Sequence, residues 1–459
     1  MRRKGEQMGF FDDNVLLRSE TARRLYRASA DHPIIDYHCH LDPGAIARDD
    51  PITDIGELWL AHDHYKWRAM RLCGVDEYYI TGGASYAEKF MKYAEIMPML
   101  AGGPLYYFTH FELKQIFGVT EPLGPENAAR LYEECNGKLS GMRVSDLLKK
   151  YRVRVVATTD DPADDLRYHG KYGDTAVVPT FRPDKYYCPD DAALERLGKA
   201  AGIRIVTLRD LLDALTDRLA YFISKGCFMS DHGFEKFPPT GASYEEAAEL
   251  FLRRGALSDG EKQTLFGYVL TYLLRQYKKR GITAQLHFSV RRNVNAGMFA
   301  VTGADSGFDV IGDPQTPSDV ERFLASFADA ERPDIVLYTL NDTALRALAS
   351  ISGAFSNVRI GAAWWFNDTK LGIRRMLETA SEYAVLGTSL GMLTDSRSFA
   401  GYSRFDFFRR ILCDYIAELV DGGEYPEDAA AKLIYDINIG NAYKAACGNP
   451  YTASLIGGI

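Results

Sequence analysis

Short runs of β-branched and other apolar residues recur along the chain, and most are followed by a longer stretch with apolar positions at helical spacing. Runs of the first kind predict strands, and stretches of the second kind predict amphipathic helices. Eight runs predict strands: PIIDYHCH (33–40), RVRVVATTD (152–160), AVVPTF (176–181), CFMSD (227–231), ITAQLHF (282–288), DIVLYTL (334–340), VRIGAAWW (358–365) and VLGTSLGMLTD (385–395). Helical stretches include residues 207–226, 261–281, 319–330, 372–384 and 405–423.

This alternation predicts one α/β architecture for the whole chain. Strands that alternate with helices form parallel sheets joined by crossovers, and eight such strands favour a (β/α)8 TIM-type barrel over an open sheet. We therefore expect a single barrel domain over residues 1–459. Because the first connection is too long for a simple loop, we expect a helical insertion at 52–145, and a second one at 234–280 between strands four and five.

Composition and charge narrow the classes of function. The formal net charge of −8 argues against a nucleic-acid surface, and no stretch is apolar enough to predict a membrane span. The basic start MRRKGEQ has no apolar segment behind it, so we expect no secretion signal. Single, scattered cysteines favour reduced thiols in the cytoplasm; they are Cys39, Cys73, Cys135, Cys188, Cys227, Cys413 and Cys447.

A histidine pair at the end of the first predicted strand is the first candidate for chemistry. His38 and His40 are two residues apart, so their side chains share one face of a strand and can point into the barrel. In such barrels the functional groups lie at the carboxyl ends of the strands, where His287 and Asp395 end strands five and eight. Imidazole and carboxylate ligands suit a divalent ion such as Zn²⁺. A buried, hydrogen-bonded structural pair is the alternative for His38 and His40.

Nine stretches carry a resemblance to a known family: DYHCHL at 36, DHYKWRAMR at 63, TTDDPADDL at 158, TFRPDK at 180, SDHG at 230, AQLHF at 284, GFDVIGD at 307, AAWWFND at 362 and LTDSRSF at 393. Together they resemble the amidohydrolase superfamily of metal-dependent barrels and, over nearly the whole chain, the uronate isomerase (glucuronate isomerase) family. The resemblance implies an aldose–ketose isomerase that converts D-glucuronate to D-fructuronate and D-galacturonate to D-tagaturonate. The implied reaction moves a proton from C2 to C1.

The expected cofactor is one divalent metal ion, with zinc as the first choice and manganese or another ion as alternatives. A binuclear relative would be expected to bring a bridging Lys or Glu from strand four and a His from strand six. Strand four ends in SDHG and strand six in YTLND, so a single ion is favoured. We expect His38, His40 and Asp395 to hold it, with His287 in or near its shell. His232 is either a supporting residue of the site or a structural histidine.

The isomerisation requires acid–base groups and cations for the substrate carboxylate. The resemblance places His64 and Tyr65 in the site as acid–base groups, although the pattern alone favours an exposed insertion helix there. A tyrosine acts as a base only if neighbouring positive charge lowers its pKa. The competing assignment makes Asp395 the base that removes the carbon-bound proton.

Two arginines beside strand ends are candidates for binding the substrate. A guanidinium matches a carboxylate with two parallel hydrogen bonds, which suits Arg182 after strand three and Arg397 just beyond strand eight. Surface ion pairs are the alternative for both. If strand seven is regular, one of Trp364 and Trp365 faces the barrel mouth, as a wall against the sugar or as plain packing.

Two other classes of function stay open from sequence. One is a mononuclear metal-dependent hydrolase of the same superfamily, such as a lactonase or amidohydrolase. The other is a catalytically inactive barrel that binds a sugar acid. The favoured partner is a small sugar acid, and we also expect a homo-oligomer.

Overall fold

Seven strands of the structure pair side by side in the order of the chain, and all of these pairs are parallel. The structure is a computed structural model that describes residues 9–458, so the start MRRKGEQ lies outside the described residues. The described strands are β1 (Ile34–Cys39), β2 (Val153–Asp160), β3 (Gly170–Tyr172), β4 (Thr175–Phe181), β5 (Met229–Gly233), β6 (Thr283–Phe288), β7 (Val290–Arg291), β8 (Val310–Ile311), β9 (Ile335–Thr339) and β10 (Val358–Ile360). The parallel order is β1-β2-β4-β5-β6-β9-β10, with β3 antiparallel to β4 and β7 antiparallel to β8.

The sheet curls so that strands far apart in this order meet in its interior. The side-chain amide of Gln285 in β6 donates to the carbonyl of Tyr37 in β1 at 3.5 Å. The hydroxyls of Tyr338 in β9 and Tyr37 are 3.4 Å apart. Apolar residues of β1, β2, β4, β5 and β9 form one inner cluster, which includes Ile35, Val155, Ala157, Ala176, Val178, Met229 and Val336.

The last of the eight strand predictions is wrong. Residues 389–396 form no strand ladder, because Gly391 and Asp395 adopt positive φ angles of 71° and 48°, which an extended strand does not accommodate. The segment still lies beside β1: the Asp395 amide donates to the His38 carbonyl at 3.1 Å, and the His40 amide to the Ser396 carbonyl at 2.9 Å. The predicted eight-stranded barrel is therefore corrected to a curled sheet of seven parallel strands with an irregular eighth segment.

Helices connect the strands and cover the outside of the sheet. Those of the described residues are α1 (Glu20–Ser29), α2 (Pro43–Arg48), α3 (Ile55–Leu60), α4 (His64–Leu72), α5 (Tyr86–Ile96), α6 (Pro104–Phe117), α7 (Ala128–Leu139), α8 (Val144–Lys150), α9 (Asp191–Ala201), α10 (Leu208–Ser224), α11 (Tyr244–Leu252), α12 (Asp259–Arg280), α13 (Ala296–Thr302), α14 (Pro317–Ala325), α15 (Leu345–Ile351), α16 (Lys370–Tyr383), α17 (Ser403–Asp421), α18 (Glu427–Tyr435), α19 (Asn441–Cys447) and α20 (Pro450–Ile456). None of these helices is both long and apolar enough to cross a membrane.

The two predicted insertion regions are helical in the structure. Helices α2 to α8 lie between β1 and β2, and α11 and α12 lie between β5 and β6. Side-chain caps begin many of these helices; at the start of α12, for example, Ser258 and Glu261 bond reciprocally to each other's backbone. The division into one domain with insertions at 52–145 and 234–280 stays a prediction. All seven cysteines are free, as expected from their spacing.

A register shift in β1 directs the two histidines into the site. The pairing of β1 with β2 shifts between Asp36 and Cys39, which is the signature of a β-bulge. Ile35 and Tyr37 belong to the inner cluster, so strict alternation would turn His38 and His40 outward. The shift instead places both Tyr37 and His38 inside the curled sheet.

Candidate active site

A cavity of about 530 Å³ opens at the carboxyl ends of the parallel strands. It contains every residue predicted for the site except Tyr65, which contacts Asp395 from beside it. Its lining consists mainly of charged and aromatic side chains, namely His38, His40, His64, Arg182, Asp184, Asp231, His287, Arg292, Asp305, Trp364, Trp365, Asp395 and Arg397, together with residues of the loop after β2. The sequence therefore identified a group of residues that the fold brings together.

Asp395 is the carboxylate on which most of the predicted residues converge. Its Oδ1 atom lies 3.3 Å from Nε2 of His38 and 3.2 Å from Nε2 of His40. Its Oδ2 atom accepts hydrogen bonds from the Tyr65 hydroxyl at 3.1 Å and from Nε1 of Trp364 at 3.0 Å. Although the carboxyl is buried, the hydrogen bonds from the two histidines hold its pKa well below the usual range.

The eighth segment holds this carboxylate in place. Asp36 of β1 accepts hydrogen bonds from the Thr394 amide at 3.0 Å and from the Thr394 hydroxyl at 2.6 Å. Thr394 precedes Asp395, whose φ of 48° turns the chain sharply at this point. The turn directs the Asp395 side chain towards the histidines of β1.

A second carboxylate, Asp231 of β5, lies on the other side of His38. Its Oδ1 atom accepts a hydrogen bond from Nδ1 of His287 at 2.8 Å, and its Oδ2 atom lies 3.0 Å from a terminal nitrogen of Arg182. The Oδ2 atom is also 3.9 Å from Nδ1 of His38. Despite burial, Arg182 and the two histidines hold the pKa of Asp231 well below the usual range.

The donor atoms are suitable for a metal ion. Two sets of side chains, His38–His40–Asp395 and His38–Asp231–His287, each place one ligand atom per residue within 4.8 Å of the others. Nδ1 of His38 and Nε2 of His287 are buried and have no hydrogen-bond partner among the described residues, which is costly unless another ligand satisfies them. Burial lowers the pKa of His287 to about 4 and also lowers that of His40, so both are neutral, as metal ligation requires. Buried His and Asp groups can thus bind a metal ion here.

His64 and Tyr65 are brought to the cavity by the start of helix α4. Asp63 caps this helix by accepting hydrogen bonds from the amides of Tyr65 and Lys66 at 3.0 and 3.1 Å. The rings of His64 and Tyr65 are stacked with their centres 4.7 Å apart, and Trp365 packs edge-on against both. The sequence pattern alone favoured an exposed insertion helix for these residues. The structure instead brings both side chains to the cavity.

The pKa of Tyr65 does not move in the direction that a base requires. Burial and the Asp395 carboxylate raise it well above its ordinary value, although the Arg404 guanidinium opposes them. Burial and the neighbouring Arg397 lower the pKa of His64, so this imidazole is neutral. In this geometry Tyr65 is a protonated hydrogen-bond donor to Asp395.

Both predicted arginines line the cavity, and each has carboxylate or imidazole partners. Arg182 bridges Asp231 and Asp184, with its Nε atom 2.9 Å from Oδ2 of Asp184. Arg397 contacts Nδ1 of His64 at 3.2 Å and Oδ2 of Asp305 at 3.0 Å. The backbone from Asp395 to Arg397 does not continue as an extended strand, because Asp395 has a positive φ of 48°.

Both tryptophans reach the cavity, whereas a regular strand would direct only one of them there. Strand β10 ends at Ile360, and Trp365 begins a 3-10 turn with φ of 52°. This turn leaves Trp364 in contact with His287 and Asp395, and Trp365 in contact with His64 and Tyr65.

His232 lies outside the cavity and is a structural residue. Its Nδ1 atom bonds to the Tyr187 hydroxyl, and its Nε2 atom lies 3.0 Å from the Ser230 hydroxyl. Burial lowers its pKa to about 3, so it is neutral. Strand alternation turns His232 away from the face that carries Asp231.

Sequence reasoning missed Asp231, Asp305 and Arg292. Asp231 could have been predicted from the sequence, because it is adjacent to His232 in a predicted strand and alternation places the two side chains on opposite faces. Asp305 and Arg292 belong to a long connection after β6, and Oδ1 of Asp305 lies 3.7 Å from the Arg292 guanidinium. No local pattern indicates that this connection folds back over the cavity.

A curled parallel sheet with a His/Asp cluster at its carboxyl edge is typical of α/β enzymes whose side chains can bind a metal ion there. The sequence profile of the glucuronate isomerase family matches residues 8–445. The chain therefore belongs to the glucuronate isomerase family.

Individual relatives agree with this assignment. The chain is 40% identical over 457 residues to a uronate isomerase of Shouchella clausii, covering 94% of this chain and 97% of that protein. It is 41% identical over 457 residues to a uronate isomerase of Caldanaerobacter subterraneus subsp. tengcongensis, covering 94% and 98%. The crystal structure of a uronate isomerase from Thermotoga maritima is similar with a TM-score of 0.92 at 30% identity, covering 95% of this chain and 100% of that one. The family and the uronate isomerase activity predicted from sequence are confirmed.

Proposed function

We propose that this enzyme interconverts D-glucuronate with D-fructuronate and D-galacturonate with D-tagaturonate. The observation that carries the proposal is the set of four partners on Asp395: two histidines that can hold a metal ion, a tyrosine hydroxyl and an indole N–H. Asp395 and its partners can transfer protons, and the same cavity contains arginines that can bind an acidic substrate.

One divalent ion belongs to the proposed site, with zinc first and manganese or another ion as alternatives. His38, His40 and Asp395 are its proposed ligands, since their atoms converge and imidazole and carboxylate groups suit such an ion. When bound, the ion supplies positive charge that polarises a substrate oxygen. His287 is in the other candidate set and is held by Asp231, so we place it beside the ion as a supporting residue or a further ligand.

The proton transfers are proposed for Tyr65, His64 and Asp395. Isomerisation requires a proton to leave C2 and return at C1, and a second proton to move between O1 and O2. Asp395 is ionised and accepts a hydrogen bond of 3.1 Å from the Tyr65 hydroxyl, so the two groups are positioned to act together on a substrate proton. Neutral His64 accepts at Nδ1 from Arg397, which leaves its other nitrogen as a donor. The pKa of Tyr65 favours Asp395 over Tyr65 as the resting base.

Arg182 and Arg397 are proposed to bind the substrate carboxylate. Both side chains are largely buried, with 25% of Arg182 and 27% of Arg397 exposed, so an ion pair with the substrate is weakly screened by water. Trp364 and Trp365 form an apolar wall against the sugar ring or chain. A cytoplasmic location and a homo-oligomer stay predictions.

The proposal is tested with a panel of substrates on one preparation of the enzyme. Uronates, the corresponding neutral aldoses, lactones and amides are each incubated with the protein and Zn²⁺, and products are identified by NMR. We expect ketose from the two uronates and no hydrolysis. Lactone or amide cleavage without ketose formation would instead favour the metal-dependent hydrolase.

A further inference from the structure

Arg404, in the first turn of α17, is a buried cation to which the proposed function assigns no role. Only 4% of the residue is exposed. One of its terminal nitrogens donates to the Thr394 carbonyl at 2.7 Å, immediately before Asp395. The centre of its guanidinium lies 5.3 Å from the ring centre of Tyr65 and 4.8 Å from that of Phe108.

These contacts link both ends of the hydrogen bond between Tyr65 and Asp395. Tyr65 comes from helix α4 and Asp395 from the irregular eighth segment, so no shared element fixes their separation. Arg404 packs on the ring of the first and bonds to the backbone beside the second. One guanidinium therefore connects two separate parts of the chain at the point where they meet.

A carboxylate on a third segment contacts this guanidinium. Oδ2 of Asp368 lies 3.8 Å from the Arg404 terminal nitrogen, and both side chains are more than nine-tenths buried. Within residues 9–458, Nε of Arg404 and Oδ1 of Asp368 have no hydrogen-bond partner, so the hydrogen-bonding capacity of the pair is not fully used. Asp368 follows the turn that carries Trp365, and a third wall of the cavity is thus joined to the same cation.

We propose that Arg404 is a positioning residue for the proton transfer, holding the Tyr65 hydroxyl against Asp395. The proposal rests on the function proposed above for Tyr65 and Asp395. A planar guanidinium can stack on a ring and donate in its own plane at the same time, whereas a lysine ammonium offers a point charge without that plane. Arginine is therefore required here for geometry as well as for charge.

The test compares Arg404→Lys with Arg409→Lys, another buried arginine of α17. Arg409 is 5% exposed and donates to the carbonyls of Ala30 and His32 at 3.0 and 2.6 Å, away from the cavity. Both variants lose a buried guanidinium, so both should lower the melting temperature. We expect only Arg404→Lys to lower kcat, by roughly 10-fold or more, with a much smaller change in KM and unchanged metal content.

A double-mutant cycle shows whether Arg404 acts through Tyr65. In a Tyr65→Phe background the hydroxyl is gone, so Arg404→Lys should cost less than about 2-fold in kcat. If Arg404→Lys lowers kcat equally in both backgrounds, or does not lower it at all, the positioning role is wrong. A full kcat in Tyr65→Phe itself would instead contradict the proposed function. If Arg404→Lys does not fold, Asp368→Asn is measured in the same cycle under the same criteria.

Discussion

At the scale of single residues, the site depends on a few side chains whose partners are all supplied by other segments. Asp395 binds two histidines of β1, a tyrosine of α4 and a tryptophan that follows β10. His38 lies between the two carboxylates Asp395 and Asp231, which outweigh burial and raise its pKa. The chemistry of the site therefore requires all these segments to be placed correctly.

Removal of a metal-ligand candidate should lower metal occupancy without unfolding the protein. His40→Ala deletes one imidazole that lies 3.2 Å from Asp395 and should lower the bound metal from about one equivalent by 10-fold or more. Metal content is measured by mass spectrometry after dialysis, with folding checked by circular dichroism. The control is His62→Ala, an exposed histidine at the end of the segment before α4. Equal metal content in both variants would show that His40 is not a ligand.

Loss of Arg397 should affect acidic substrates selectively. Arg397→Met removes a guanidinium that partners His64 and Asp305, and a buried substrate carboxylate then lacks its cation. We expect a loss of roughly 2–3 kcal/mol, about 10²-fold, in kcat/KM for the uronate. The corresponding neutral aldose, assayed in parallel, should lose much less because it has no carboxylate. A loss of the same proportion for both substrates would rule out carboxylate binding by Arg397.

Much of the site could be predicted at the residue scale, because strand ends mark where functional side chains collect. His38, His40, His287 and Asp395 were identified by their positions at the ends of apolar runs. The inward direction of His38 was expected from alternation but results from a bulge, which only the pairing with β2 reveals. Asp305 was not predictable, because its contact with Arg397 spans 92 residues and depends on how a long loop folds.

At the scale of secondary structure, the strands with β-branched runs were predicted well and the glycine-containing run was not. Seven predicted strands form the parallel sheet, whereas VLGTSLGMLTD remains irregular. A Cβ at Gly391 would lie 2.1 Å from the Ile437 carbonyl oxygen, so close packing against the C-terminal helices explains the glycine. The local sequence does not contain that tertiary constraint.

The stable placement of the irregular eighth segment should depend on the hydrogen bond from the Thr394 hydroxyl to Asp36. Thr394→Val keeps the shape of the side chain but removes the hydroxyl that donates to Asp36 at 2.6 Å, leaving a buried carboxylate oxygen without that partner. We expect a loss of roughly 1–3 kcal/mol in the free energy of unfolding and weaker metal binding, because Asp395 follows directly. Thr388→Val is the matched control, since its exposed hydroxyl donates to the nearby Val385 carbonyl and not to a buried carboxylate of the described residues. Equal stability of the two variants would argue against this anchoring role.

At the scale of the whole molecule, the helices between β1 and β2 pack into the same core as the sheet. His110 of α6 is part of this packing: its Nδ1 atom bonds to the Tyr106 carbonyl at 2.7 Å, and its Nε2 atom accepts from the Leu123 amide at 3.1 Å. Burial lowers the pKa of His110 to about 4. Protonation would remove the acceptor that Leu123 needs, so the folded state requires the neutral ring.

His110 should make the protein less stable in mild acid. Its folded pKa lies below the unfolded value near 6.5, so its contribution to stability is complete above about pH 6.5 and is lost as the pH falls towards 4. The total loss from this group is roughly 3 kcal/mol. Melting temperatures between pH 7 and pH 4.5 should therefore fall more steeply for the wild type than for His110→Gln, which does not titrate. Parallel pH profiles would contradict the assignment.

The central claim is that the carboxylate Asp395, with its histidine and tyrosine partners, makes this protein a uronate isomerase. The most direct measurement is the appearance of ketose by NMR when D-glucuronate is incubated with the wild type and with Asp395→Asn, both checked for folding. The wild type should form D-fructuronate to equilibrium, and Asp395→Asn should be slower by roughly 10²-fold or more, because the group that exchanges a proton is lost. No ketose from the wild type, or an equal rate from folded Asp395→Asn, would contradict the account.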